Sequence, residues 1–229
     1  MTRIRLGDLR KIIRESLGSG ALALYKWEYP SRISVLLYFP SELLSLDWND
    51  RYELPKEIVK GYAKFNAPDK PCNGAWEVSS IAGIGYGAEL YGLGYALVPG
   101  GRLMPDRSFS TKRARAAWTK SLGKLKGFPL DDAKDPQTAD PNDDCPVQVP
   151  VKKGGPDPVL DAAYEGPAVD PGPMLQAHES TVKKLMKILN DLGGEYTDPS
   201  EVDDVLGDML RTVSTKYFTS EFEKYYKER

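Results

Sequence analysis

The sequence predicts a single α/β core followed by a helical extension. Three observations predict it. Beta-leaning and helical runs alternate between Ile33 and Leu122, the glycine cluster GIGYG at Gly83 to Gly87 separates a strand from a helix, and only helical spacing appears from Leu175 onward. At 229 residues the chain can bury one sizeable core with a small appendage but is short for two large domains.

Leu6, Leu9, Ile12, Ile13 and Leu17 recur at helical spacing before Gly18 and Gly20, which predicts a short amphipathic helix within residues 1–20. Ile33 to Phe39 is a beta-leaning run closed by Pro40. Ile58 to Phe65 is a second one, and the polar DWNDRYELP between them reads as a turn region. Trp76 to Ile81 predicts a third strand, with Trp76, Val78 and Ser80 on one face and Glu77, Ser79 and Ile81 on the other. After the glycine turn, Leu90, Leu93 and Leu97 keep helical spacing until Pro99 and Gly100 end the element. Gly92 and Gly94 are poor helix formers, at roughly 1 kcal/mol each against alanine, so this helix must be held by close packing on a sheet.

Arg102 to Pro105 is a short strand candidate, and Ser110 can cap a helix with Ala114, Ala117, Trp118 and Leu122 on one side. The Pro, Asp and Gly content between residues 126 and 173 predicts mostly irregular chain. Leu175 to Leu192 is a helix stopped by Gly193 and Gly194. Asp198-Pro199 opens another at Val202 to Val213, and Ser220 can cap a last one at Glu221 to Lys227.

No apolar run reaches the ~18 residues of a membrane span, and the charged N-terminal stretch lacks the apolar region of a secretory signal, so no membrane partner and no export are expected. Cys72 and Cys145 are too few and too far apart for a disulfide scaffold, which suits a reducing cytoplasm. A net charge of -2 lacks the basic excess that drives nucleic-acid binding. The basic clusters Arg3 to Arg14 and Lys112 to Lys126 read as solvated helix faces.

The glycine cluster carries the chemistry. A glycine turn from a strand end into a helix exposes amide N–H groups without intrahelical acceptors, and the helix dipole adds partial positive charge, so a phosphate fits there. Ile84, Gly85, Tyr86, Gly87 and Ala88 supply those amides. No Gly-Lys-Ser/Thr follows, which excludes a P-loop, and the last glycine of the dinucleotide fingerprint is missing.

The string Ala82, Gly83, Ile84, Gly85, Tyr86, Gly87 resembles the pyrophosphate loop of the GNAT (general N-acetyltransferase) superfamily, Gln/Arg-x-x-Gly-x-Gly/Ala, with Ala82 in the leading position. The order helix, strand, helix that follows is also that superfamily's. The runs GYGAELYGLGYAL, LMPDRSFSTKRARAAW and LDDAKDPQTADPNDDC resemble acetyltransferase-like proteins of tailed bacteriophages, and LRKIIRESL resembles a leader found on phage proteins, virion components included.

The resemblance implies a mixed, mostly antiparallel central sheet flanked by helices: a leader over 1–20, a GNAT-like core over 21–125, an irregular segment over 126–173 and a helical tail over 174–229. It further implies acetyl-CoA as acyl donor, a host-cytoplasmic or virion location, and a backbone N–H donor to the thioester oxygen around Val78, Ser79 and Ser80. Glu77, the carboxylate of that strand, is the candidate base, or else it is paired with Lys64. The superfamily often places an acidic Tyr on the last core helix, where this chain has Trp118, which has no suitable proton.

Asp106 and Arg107 read as a local pair fixing a turn, and His178, the sole histidine, as a surface residue of a polar helix. No ligand set at a recognised metal spacing is present. Two functions follow: a phage-encoded acyl-CoA-dependent N-acyltransferase for an amine or protein, or an inactive scaffold that binds a protein partner or virion proteins through its leader and tail.

Overall fold

The computed structural model describes residues 21–49, 53–67, 74–83, 85–105, 112–121, 125–129 and 162–227. The expected leader helix, Ile84, the Asp106/Arg107 pair, Ser110 and Leu122 lie outside them. Among the described residues, seven strands form one sheet: β1 Ala23–Tyr29, β2 Arg32–Tyr38, β3 Val59–Asn66, β4 Trp76–Ala82, β5 Arg102–Pro105, β6 Lys126–Pro129 and β7 Ala162–Glu165. Their order is β1-β2-β3-β4-β5-β7-β6, and every neighbouring pair is antiparallel except β4 with β5.

Five α-helices accompany the sheet among these residues: α1 Pro40–Leu44, α2 Gly87–Leu97, α3 Lys112–Ser121, α4 Gly172–Asp191 and α5 Pro199–Lys227. None is long and apolar enough to cross a membrane.

Each face of the sheet buries its own cluster. On one, Leu24, Val35, Phe65, Val78 and Leu103 pack against Leu90 and Leu93 of α2 and Trp118 of α3. On the other, Tyr25, Leu36 and Tyr38 pack against Val182 and Leu185 of α4 and Val202, Leu206, Leu210, Val213 and Tyr217 of α5. The C-terminal helices are therefore one of the two layers of the fold rather than an appendage. α5 is also continuous across Ser220, where a separate last helix was expected.

The chain reaches that second face by crossing α2. Val169 N–H donates to the carbonyl of Gly92 at 3.0 Å. A Cβ on Gly92 would run into the side chain of Val169 and, 3.3 Å away, the carbonyl of Pro167. Backbone contact of this closeness accounts for a poor helix former inside α2.

Three expectations need correcting. Two strands, β6 and β7, lie in the stretch read as irregular, and they add two strands to the sheet beyond residue 125. Both are four residues long, and β6, the edge strand, contains Gly127 and Pro129, so only their pairing with the sheet reveals them.

β4 does not keep simple alternation: Phe65 pairs with Val78 and Lys64 with Ser80, which makes Ser79 the extra residue of a bulge. The bulge reverses the faces beyond it, so Ile81 packs in the same cluster as Trp76 and Val78 while Ala82 joins the opposite one. His178, expected at the surface, is 7% exposed.

Candidate functional site

The parallel β4–β5 pair runs from Trp76 opposite Leu103 to Val78 opposite Pro105. β4 then continues to Ala82 paired only with β3 among the described residues. The bulge at Ser79 follows directly on the last of these pairs. A bulge interrupts the ladder and re-aims its amides, so the backbone from Val78 to Ser80 departs from the regular ladder with β3. Of the expected thioester-facing residues, Val78 is buried, and Ser79 and Ser80 are half-buried.

From Ala82 the chain turns out of the sheet. Gly83 is pressed against β3: a Cβ there would lie 3.3 Å from the Gly61 Cα and the Lys60 carbonyl. Gly85 adopts φ 86°, the left-handed region that favours glycine. Tyr86 is the N-cap of α2, its side chain making no capping hydrogen bond, and Gly87 is the first helical residue. The amides of the first turn have no intrahelical acceptors.

Among the described residues, apart from chain neighbours and the helix's own backbone, no atom lies within 4 Å of the position a Cβ would take on Gly85 or Gly87. Gly85 and Ala88 are exposed. Among the described residues, none crowds the outer side of the turn at Gly85 and Gly87. Gly87 has room for a side chain, so nothing in the fold itself requires glycine there.

The charges around the turn are mixed. Lys60, the extra residue of a bulge in β3, places Nζ 2.6 Å from Glu42 and 5.5 Å from the centre of the Phe39 ring. That ring meets Tyr86 edge-on at 6.4 Å. Glu89 lies in the first turn of α2, where its charge opposes an incoming anion. Lys60 and Phe39 are absent from the sequence reading of the site. Their signal, an apolar-to-proline strand end opposite a lysine of the next strand, appears only once β2 and β3 are in register.

Glu77 is half-buried and pairs with Asn66 on β3 and Met104 on β5. It is not brought to the glycine turn. Four residues of strand separate it from Ala82, five steps or about 16 Å at ~3.3 Å per residue. Its side chain alternates with Trp76 and Val78 and so belongs to the face opposite α2. An extended ligand with its anionic end at the turn and its reactive end at the bulge has the length to bridge these points.

Trp118 is 3% exposed, with its ring 5.0 Å from Tyr91 and 5.2 Å from Tyr164. Burial pushes the Tyr91 phenol up to about 12, so it stays protonated at neutral pH. These aromatics form packing, not a proton donor on α3.

A second polar cluster lies under the C-terminal helices. His178 Nδ1 is 2.7 Å from the Tyr38 hydroxyl and Nε2 is 2.8 Å from Asp203 Oδ1. The Thr181 hydroxyl donates to the Ala177 carbonyl at 2.6 Å. His178, Thr181, Val182 and Leu185 are the buried residues of α4, one helical stripe. That spacing was the available sign that the histidine faces inward. Tyr38 has no exposed surface, so this chain of hydrogen bonds ties α4 and α5 to β2 instead of meeting a substrate.

Compared with known proteins, the chain matches no family model, no curated protein and no solved structure.

Proposed function

We propose that the protein is a GNAT-like N-acyltransferase that takes acetyl-CoA, the pyrophosphate seated on the amides of Gly85 to Ala88 and the thioester at the bulge of β4. The single observation that supports this most strongly is the coincidence of two features on β4 and its exit: the bulge at Ser79 and the glycine turn into α2. A bulge takes backbone donors out of the regular ladder, where they can meet a carbonyl oxygen as it gains charge. Glycines at 85 and 87 let a phosphate approach the amides. Val78, Ser79 and Ser80 would flank the thioester, and Glu77 would act as base toward the amine from the opposite face of the sheet.

A second reading keeps the scaffold and drops the chemistry: a binding or virion-associated module of a tailed phage. It is favoured by Trp118, buried among Tyr91 and Tyr164 where a tyrosine proton donor would be expected, and by Ala82 in the leading position of the loop.

Thermal unfolding with acetyl-CoA separates the two. At 100 times its dissociation constant a ligand stabilises the fold by about 2.7 kcal/mol. Gly87→Glu is the control, because a Cβ at that position meets no described atom within 4 Å beyond the chain's own neighbours and an acidic residue in a first turn favours the helix. Stabilisation of the parent and none of the variant is expected. No shift of the parent at millimolar acetyl-CoA would remove the enzyme reading.

A further inference from the structure

The two edges of the sheet are finished differently. β6, at one end of the strand order, is four residues long and carries Gly127 and Pro129, features that discourage a further strand from adding to it. β1, at the other end, is seven residues long and contains neither glycine nor proline. Its register with β2 runs without a bulge from Ala23 to Tyr29. An edge of that kind presents a row of N–H and C=O groups to any strand that can lie beside it. Among the described residues no strand lies beyond β1.

Half of that edge stands clear of the helical layers. Ala23 and Leu24 have no exposed surface and Tyr25 is buried, but Lys26 and Trp27 are half-buried and Glu28 and Tyr29 are exposed. Their neighbours on β2, Ile33 opposite Glu28 and Ser34 opposite Trp27, are each 1% exposed. Both faces of the sheet are therefore covered at this level, and the open surface lies along the outer edge of β1. Tyr29, at 40%, is one of three exposed large hydrophobic residues among the described ones.

We infer that this edge binds a second copy of the chain, β1 against β1 in antiparallel register about a two-fold axis through Trp27. The charges select both the occupant and the register. Directly opposed residues of an antiparallel pair share a face, with Cβ atoms ~4.5–5.5 Å apart. Centred on Trp27, the pairing sets Lys26 of one protomer opposite Glu28 of its partner, and by symmetry Glu28 opposite Lys26. Tyr25 then lies opposite Tyr29, and the two Trp27 side chains face each other. Lys26 and Glu28 already lie 2.8 Å apart within one protomer. In the dimer that pair meets its own copy reversed, so the four charges alternate in sign and the existing contact is kept. Centred on Lys26 or on Glu28 instead, the same pairing opposes like charges, which destabilises a sheet pair. A two-fold pairing occupies both β1 edges and leaves only the blunted β6 edges, so growth stops at the dimer. The ladder is short, which places the dimer among weak, concentration-dependent interfaces.

Sedimentation equilibrium of the full chain tests this. The parent is expected to approach twice the monomer mass as its concentration rises toward millimolar. Glu28→Lys, at an exposed position, should weaken association about ten-fold, because the like-charge contact with Lys26 occurs twice. Lys26→Glu should do the same. The double variant Lys26→Glu with Glu28→Lys sets opposite charges in the same register again and should recover the association of the parent. A parent that stays monomeric at millimolar concentration overturns the proposal without recourse to any variant. A dimer that both single reversals leave intact overturns it as well, since its interface then lies elsewhere. So does a double variant that associates no better than either single one.

Discussion

The two faces of the sheet are built differently. Against one, α2 and α3 come from the stretch that also forms β4 and β5, and the buried groups are almost wholly apolar or aromatic. Against the other, α4 and α5 come from the far end of the chain, and a line of hydrogen bonds from Tyr38 through His178 to Asp203 runs through the contact. Local connection holds the first layer in place. The second layer follows β7 through the segment that crosses α2, and directional bonds add to what fixes where it docks. The candidate site follows the same division: the glycine turn proposed to take an anion lies at the edge of the first face, and Glu77 on the second.

The largest expected effect tests whether the second layer is dispensable. Val202, Leu206, Leu210, Val213 and Tyr217 are each 8% exposed or less. At ~1.5–3 kcal/mol per buried side chain, five such residues contribute about 8–15 kcal/mol before entropic costs, as much as the whole stability of a typical domain. A chain ending at Asp170 should therefore show no cooperative unfolding in calorimetry. A cooperative transition near that of the full chain would make the helices an appendage after all.

Next in size is the hydrogen-bonded line itself. Tyr38→Phe leaves His178 Nδ1 without its partner in a buried setting, at a cost of about 1–3 kcal/mol in denaturant unfolding. Alkali probes the same layer. Burial raises the phenols of Tyr25, Tyr38 and Tyr62 on this face and of Tyr91 and Tyr95 on the other. A raised folded-state value means stability is fully present below the ordinary phenol value near 10 and is lost as pH climbs from there. For Tyr91, raised to about 12, that loss is at most about 2.7 kcal/mol, two pH units at 1.36 kcal/mol each. Melting temperature should hold up to pH 9 and fall by pH 11, and a flat profile would contradict the burial of these hydroxyls.

Within α2, two glycines sharpen the contrast between packed and open ends. A Cβ on Gly94 would lie 2.7 Å from Phe65 and 2.8 Å from Leu103, so Gly94→Ala should cost about 1–3 kcal/mol. Gly87→Ala meets nothing and should gain up to about 1 kcal/mol in stability while weakening acetyl-CoA binding. The smallest effect is at Glu89. Glu89→Gln should lose about 0.3–1 kcal/mol of helix stability and tighten acetyl-CoA binding a few-fold. Unchanged affinity would mean that the anion does not sit at this helix end.

Much of the first face was legible in the sequence, because punctuation marks it. Pro99 and Gly100 end α2, Gly85 needs a positive φ, and the strand before the turn has bulky residues in alternation. β1 was not assigned: Lys26 and Glu28 alternate with Tyr25 and Trp27, a pattern resolved only by the register with β2. The bulge at Ser79 has no signature in the residues themselves, and it reversed the predicted placement of Ile81. β6 and β7 are too short to stand out. The helices of the second face were read correctly as helices, but their layer was not, since His178 and Asp203 look like surface groups until Tyr38 is set beside them. The neighbours of Glu77, Asn66 on β3 and Met104 on β5, depend wholly on cross-strand register, which a single sequence does not contain.

The central claim is that acetyl-CoA binds at the turn into α2, and amide chemical shifts test it most directly. Titration of labelled protein with acetyl-CoA is expected to move the signals of Gly85, Tyr86, Gly87 and Ala88 first and most, together with those of Ser79 and Ser80 at the bulge. Saturating acetyl-CoA that leaves these six amides in place, or moves only residues elsewhere, would contradict it.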